Sequence, residues 1–239
     1  MYGYIQYDDS VNVNIYLFML QKYTLHEIRS YVDTVLDSTG STSGASEVSF
    51  LPVNHVMQDG TDVVVRSMRT DESSLFRQKF GHGLGLYEWP TDKYFEKMVR
   101  GRGPVIIVED RRTGTMVAGM IITTSAFSRG DSARLMDGYV AINPDYVGRG
   151  LGKEIVGIVR ELSLELGFTA ALTDAAVSNT GAVAAVLSDG FIMTGVIPKS
   201  IYKLNRGWTD AVLLFRKLST KPSKKILTID HNNPTLSKR

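Results

Sequence analysis

The stretch VAINPDYVGRGLGKEIV, residues 140–156, constrains the fold more than any other part of the chain. A strand-like apolar run ends at Pro144, glycines recur at 148, 150 and 152, and a helix-forming sequence follows. A strand that turns through closely spaced glycines into a helix brings the helix's unsatisfied N–H groups to the loop. Glycine lets the backbone turn sharply and approach a ligand with no Cβ in the way. Successive amides at the positive end of a helix then form a site for an anion such as pyrophosphate. The chain therefore needs a sheet with at least one strand–loop–helix unit, and a phosphate-bearing ligand is the expectation.

Two common phosphate loops do not fit. A dinucleotide loop has glycines at offsets 0, 2 and 5, and counting from Gly148 the third place is Lys153. A Walker A loop has four residues between its first glycine and Gly-Lys-Ser/Thr, and Val147 and Glu154 fail its two ends. A second glycine cluster, GHGLGLYEW at 81–89, follows a helical stretch rather than a strand, so it reads as a connection.

The remaining chain supplies the elements around this unit. DVVVRSM (62–68) alternates as a strand does, and a helical stretch runs from about 70 to Phe80. TDKYFEKMVRG (91–101), with its cap-like Thr91, predicts a second helix. PVIIVED (104–110), the turn RRTGT and MVAGMIITTS (116–125) predict a hairpin, and ARLMDGYVAI (133–142) the next strand. Residues 150–166 and 179–188 predict helices, with strands at 169–175, 191–197 and 210–218. This order, β-α-α-β-β-β-α-β-α-β-β, implies an α/β (α+β) fold: a mixed central sheet with helices on both faces.

Residues 49–218 read as one domain. Residues 1–48 read as an N-terminal extension, with a helical pattern at 25–36 and a linker, DSTGSTSGAS, at 37–46. Residues 219–239 read as a basic, disordered tail, by their polarity and two prolines. The first basic residue is Lys22 and the apolar run IYLFML (15–20) is short, so neither a signal peptide nor a membrane span is expected. A cytoplasmic protein is the expectation. The absence of cysteine excludes disulfides, thiolate zinc sites and a cysteine nucleophile. The four histidines show no ligand spacing, so no metal is expected. A net charge of +2, with −5 on residues 1–60 and +4 on residues 219–239, is too small to imply nucleic acid.

Val140, Ile142, Pro144, Tyr146, Gly148, Gly150, Leu151 and Gly152 stand in register with one further pattern. It is the acetyl-CoA loop of the GNAT N-acetyltransferase superfamily: apolar-x-apolar-x-Pro-x-Tyr, then Arg/Gln-x-x-Gly-x-Gly/Ala. The resemblance spans about 62–218 and implies the GNAT acyl-CoA N-acyltransferase fold with acetyl-CoA as cofactor. It places cofactor contacts at Val140, Ile142, Gly148, Arg149, Gly150, Leu151, Gly152, Lys153 and Asn179. Val147 departs from the pattern at its Arg/Gln position, and Arg149 and Lys153 are the cations that compensate. The second half of the signature is present as Asn179, Ala182, Gly190 and Phe191, but Val186 stands where the family often has an acid tyrosine.

Within the superfamily, GFIMTGVIPKSI with TDAVLLFRKL, and SFLPVNHVMQDG ahead of the first strand, resemble the fungal L-azetidine-2-carboxylate (proline-analogue) N-acetyltransferases. Those also lack the tyrosine. The resemblance implies a small-molecule amine acceptor of amino-acid or proline-analogue type, held by positions matching Asp137, Thr173 and Asn179. Tyr87 and Trp89 border the expected acceptor site. Asp137 and Asp174 lie near the expected splay of two strands and are the candidate general bases. A backbone N–H near Val140 is expected to polarise a thioester carbonyl, and the Ile142 carbonyl to receive the pantetheine arm. Two other readings stay open: a protein or peptide N-acetyltransferase, and an inactive acyl-CoA-binding domain. A homodimer is also left open.

Overall fold

A computed structural model describes residues 48–80, 103–125, 134–203, 207–218 and 226–229. Expectations for the helices at 25–36 and 91–101, for the linker, and for Tyr87 and Trp89 lie outside these residues. The strands are β1 (Val53–Val56), β2 (Asp62–Ser67), β3 (Val105–Asp110), β4 (Met116–Thr124), β5 (Leu135–Ile142), β6 (Ala170–Ala176), β7 (Ile192–Lys203) and β8 (Gly207–Lys217). The helices are α1 (Ser73–Phe80), α2 (Gly152–Glu165) and α3 (Thr180–Ser188). Among described residues, the differences from expectation include the short added strand β1, the longer reach of β7, the earlier start of β8 and a 3-10 turn at Thr70–Glu72 ahead of α1.

One eight-stranded sheet runs in the order β1-β2-β3-β4-β5-β6-β8-β7. Every neighbouring pair is antiparallel except β5 and β6, which are parallel. A parallel pair needs a crossover, and α2 supplies it, carrying the chain from the end of β5 back to the start of β6. The runs VIIVED and MVAGMIITT are buried on both faces because β3 and β4 are central strands.

Two apolar layers cover the sheet. Phe76 and Phe80 of α1, one turn apart, meet edge to face with ring centroids 5.1 Å apart. They pack on Val105, Ile107, Ile121 and Ala141. On the other face, Ile155, Ile158 and Leu162 of α2 repeat at helical spacing and pack on Ile106, Val108, Met120, Ile122 and Met136. Helices thus lie on both faces.

The tail expectation needs correction at residues 226–229. Leu227 and Ile229 are buried in the α2-side core. The amides of Ile226 and Leu227 each donate to the Glu161 carboxylate at 2.6 Å. Three apolar side chains hidden in a polar sequence suffice to fix this segment across α2.

Candidate active site

The expected splay is the seam at which the sheet changes direction. β5 pairs with β6 only through Leu135, Met136 and Asp137, opposite Ala170, Ala171 and Leu172. β5 then continues to Ile142 and β6 to Ala176 without pairing, which opens a wedge. The Thr173 hydroxyl donates to the Gly138 carbonyl at 3.1 Å and pins its apex.

Backbone parity decides what faces the wedge. The Leu135 carbonyl and the Asn143 N–H bond toward β4, whereas the Arg134 and Gly138 carbonyls bond toward β6. Even-numbered residues of β5 therefore turn their peptide groups toward the wedge, Val140 and Ile142 among them. Their side chains pack into the α2-side core, so their polar contribution is backbone only.

Side chains divide by the same alternation. Tyr139 and Ala141 join the α1-side layer, which puts Asp137 on that face. Leu172 lies beside Asp137 in parallel register, so Leu172 and Asp174 share that face as well. Thr173 and Gly138 fall on the α2 side. Asp137 and Asp174 are thus brought together on one face, while Thr173, grouped with Asp137 from sequence, is on the other. Its hydroxyl is engaged at the apex. Tyr139, not anticipated from sequence, joins the two aspartates, and only alternation along β5 could have found it. Asp174 is exposed to solvent on this face, yet partial loss of water around its carboxyl pushes its pKa above the usual carboxylate range, against a smaller opposing bond from its own amide. It pairs with Leu213 of β8 in mid-strand and caps nothing.

The glycine loop follows β5 through a short 3-10 turn, Pro144–Tyr146. Asn143, buried, anchors the turn by donating to the Met116 carbonyl at 2.8 Å and accepting from the Asp145 N–H at 3.1 Å. The Tyr146 hydroxyl donates to Asp110 at 3.1 Å. Gly148 and Gly150 have φ of 86° and 78°, a region other residues reach only with strain. Gly152 has a different reason: a Cβ there would come within 3.3 Å of Ala185, so it sets the approach of α2 to α3. The N–H groups of residues 148–154 have no hydrogen-bond partner among the described residues. They form a cradle at the start of a 14-residue helix.

The expected cofactor side chains are placed unevenly around that cradle. Lys153 is exposed in the first helical turn. Leu151 is 2% exposed, and its side chain belongs to the core, leaving its amide for a ligand. Val147 is 66% exposed and offers no donor from its side chain. The Arg149 guanidinium donates to the Asp145 carbonyl at 2.9 Å, stacks 4.3 Å from the Tyr146 ring centroid and lies 3.9 Å from Asp59. Asn179 caps α3, its side chain accepting from Ala182 N–H at 3.3 Å, so one of its polar atoms serves the fold.

Residues 96–99 positions distant in sequence fix the outer wall of the loop. His55 Nε2 donates to Glu154 at 2.8 Å, and Gln58 N–H donates to the same carboxylate at 2.9 Å. The β1–β2 turn is thereby fastened to the first turn of α2. No local spacing signals these contacts. Among the described residues, no group of His, Asp and Glu has the arrangement of a metal site, and no helix is long and apolar enough to cross a membrane.

The family model described as Acetyltransferase (GNAT) family matches residues 66–191, more than half of the chain. No curated protein sequence matches. Solved structures do. A protein provisionally assigned as a phosphinothricin N-acetyltransferase is similar at 17% identity and TM-score 0.56, over 66% of this chain and 99% of the other. The Salmonella typhimurium protein YncA, solved with acetyl-CoA, is similar at 17% identity and TM-score 0.52, over 68% and 99%. Spermidine N-acetyltransferase from Vibrio cholerae, in complex with CoA and spermine, is similar at 14% identity and TM-score 0.52, over 65% and 95%.

Proposed function

The chain belongs to the Acetyltransferase (GNAT) family, and from that premise we propose that it acetylates a small-molecule amine of amino-acid or proline-analogue type, with Asp137 and Asp174 facing the acceptor. The observation that carries this reading is the alignment of three features along one path. The amide cradle at 148–154, the wedge edge at Val140 and Ile142, and the two-aspartate face beyond it follow one another along β5 and its loop.

The residues present fit acetyl-CoA. The unpartnered amides suit a pyrophosphate, with Lys153 as a nearby cation, and the backbone edge of β5 suits an extended pantetheine amide chain. When bound, acetyl-CoA supplies an acetyl group already activated as a thioester. The chain's own part is to hold the two partners in one cleft and exclude alternative geometries, which accounts for much of the rate in such transfers. The Val140 N–H, facing the wedge, is positioned to donate to a carbonyl that gains negative charge.

An amine attacks only when unprotonated. Asp174, whose carboxyl is pushed upward by burial, is a better proton acceptor near neutrality than an ordinary aspartate. Asp137 lies on the same face and shares the attraction of an ammonium group. Val186 occupies the place of the family's acid tyrosine and packs into the core. A thiol with a solution pKa of roughly 8–9 departs without a dedicated acid.

The acceptor's identity is tested by an acetyl-CoA consumption screen over free amines. Imino acids and proline analogues should turn over. Preference for polyamines would replace the amino-acid reading with a polycation reading, which two carboxylates on one face also suit. Turnover only with peptides would move the acceptor to a protein. The cofactor half is tested separately with CoA: saturating ligand at 100 times its dissociation constant adds roughly 2.7 kcal/mol of stability, and Gly150→Asp should abolish the shift. Silence of the wild-type protein at millimolar CoA would remove the cofactor assignment.

A further inference from the structure

The β1–β2 turn places Asp59 beside the anion cradle, an arrangement the transfer reaction itself does not call for. We infer that Asp59 holds Arg149 away from the cofactor's phosphates and thereby weakens cofactor binding. This inference rests on acetyl-CoA binding at the 148–154 loop.

Four contacts support it. Arg149 Nη1 lies 3.9 Å from Asp59 Oδ2, and its Nη2 donates to the Asp145 carbonyl. Its guanidinium plane stacks on Tyr146, which is itself tied to buried Asp110. One face of the guanidinium is thus covered by Tyr146 and both terminal nitrogens turn toward protein oxygens, while the side chain stays 47% exposed. Asp59 is fixed in its turn. Its Oδ1 accepts the Thr61 N–H at 3.0 Å, and the neighbouring Gln58 amide is fastened to Glu154 on α2. The hydrogen bond from Thr61 keeps the Asp59 carboxyl below the usual carboxylate range, so the group is ionised throughout the neutral region.

With Val147 in place of a charged residue, Arg149 and Lys153 are the cations on the loop. One of the two is occupied by Asp59 at rest. An incoming pyrophosphate must take Arg149 from its carboxylate partner or bind through amides and Lys153 alone. In both cases Asp59 acts against binding, by competition and by like-charge repulsion. An anion kept beside an anion site limits affinity, which suits an enzyme whose product CoA must leave after each turnover.

Isothermal titration with CoA, at low and high salt, tests this on the full-length protein. Asp59→Asn keeps the acceptor for the Thr61 amide and removes the charge. It should tighten CoA binding about three- to fivefold at low salt, with the gain shrinking at high salt. In an Arg149→Met background the same substitution should give a clearly smaller gain, the part due to repulsion alone. Equal gains in both backgrounds would show that Asp59 acts by repulsion alone and would overturn the restraint of Arg149. Unchanged affinity in Asp59→Asn, with the melting temperature preserved, would overturn Asp59's role altogether. Both outcomes differ from failure of the functional reading, in which the wild-type protein binds no CoA.

Discussion

At the scale of single residues, Asp174 separates function from stability. Partial loss of water around its carboxyl pushes its pKa above the ordinary range, although the residue stays exposed. An acid whose folded pKa is raised contributes full stability below its unfolded pKa, about 3.9, and loses that contribution as pH rises through the folded value. At neutral pH the ionised side chain therefore works slightly against the fold, solvent screening keeping the effect small. Asp174→Asn should leave the melting temperature at pH 7 unchanged or slightly raised while lowering kcat by roughly 10²-fold, the range for loss of a general base. CoA affinity should be unchanged. The acid limb of the rate profile, which in the wild type lies above the pH of an ordinary aspartate, should vanish with it. A fully active variant would leave Asp174 as a bystander and move the base to Asp137. Thr173 teaches a related lesson. Its position in the chain is next to Asp174, and the family resemblance matched it, with Asp137 and Asn179, to positions that hold the substrate. Pleating sends the two side chains to opposite faces, and the Thr173 hydroxyl serves the Gly138 carbonyl.

Among the elements, α2 organises more of the molecule than its sequence announces. Its inner face meets the sheet, as the spacing of Ile155, Ile158 and Leu162 predicts. Its outer face is also buried, under residues 226–229. A Cβ at Gly157 would lie 2.3 Å from Ile226 Cδ1, so the glycine leaves a notch that this side chain fills. Glu161 accepts the two amides of the segment, and the neighbouring Arg160 lies 3.2 Å from Asp189 at the end of α3. Asp189 also pairs with Arg216 of β8. Polar residues on the outer side of an amphipathic helix ordinarily read as a solvated face, and here they are an interface. If the segment is part of the core, Leu227→Ala should cost about 2–4 kcal/mol in denaturant unfolding, as for other buried leucines. A tail lying loosely on the surface would give under 0.5 kcal/mol. The measurement thus decides whether 226–229 belongs to the cooperative unit. Sequence missed this segment because three apolar residues among lysines, threonine and aspartate make no periodic pattern.

Over the whole molecule, what the chain revealed in advance was the part governed by local rules. Strand and helix periods, the hairpin at 104–125 and the glycine loop are all short-range, and they fixed the mixed sheet and the position of the cradle. Contacts that join distant segments were not legible: His55 and Gln58 on Glu154, Asp59 beside Arg149, and the tail across α2. These depend on the order of strands in the sheet, which no window of sequence contains. The same long-range ties determine how the fold responds to acid. Glu72, 5% exposed, is raised by burial, but hydrogen bonds from Arg66 and the Arg69 amide more than offset this and hold its carboxyl below the usual range. Arg66 also binds Glu109, so the network joins β2, β3 and the turn before α1. Asp110 follows the same pattern: burial acts upward and is outweighed by the amides of Arg112 and Thr113 and the Tyr146 hydroxyl. Depressed carboxylates contribute stability that is present above their unfolded pKa, near 4, and lost as pH falls through the folded value. Unfolding free energy should therefore hold down to about pH 5 and fall steeply below about pH 4. Glu72→Gln should cost about 1–3 kcal/mol at pH 7, since it leaves half-buried Arg66 with Glu109 as its remaining carboxylate partner. It should also flatten the acid slope, because the group whose protonation drives that slope is gone. Equal slopes in the two proteins would place the acid sensitivity at Asp110, whose carboxylate is held by the Arg112 and Thr113 amides and the Tyr146 hydroxyl.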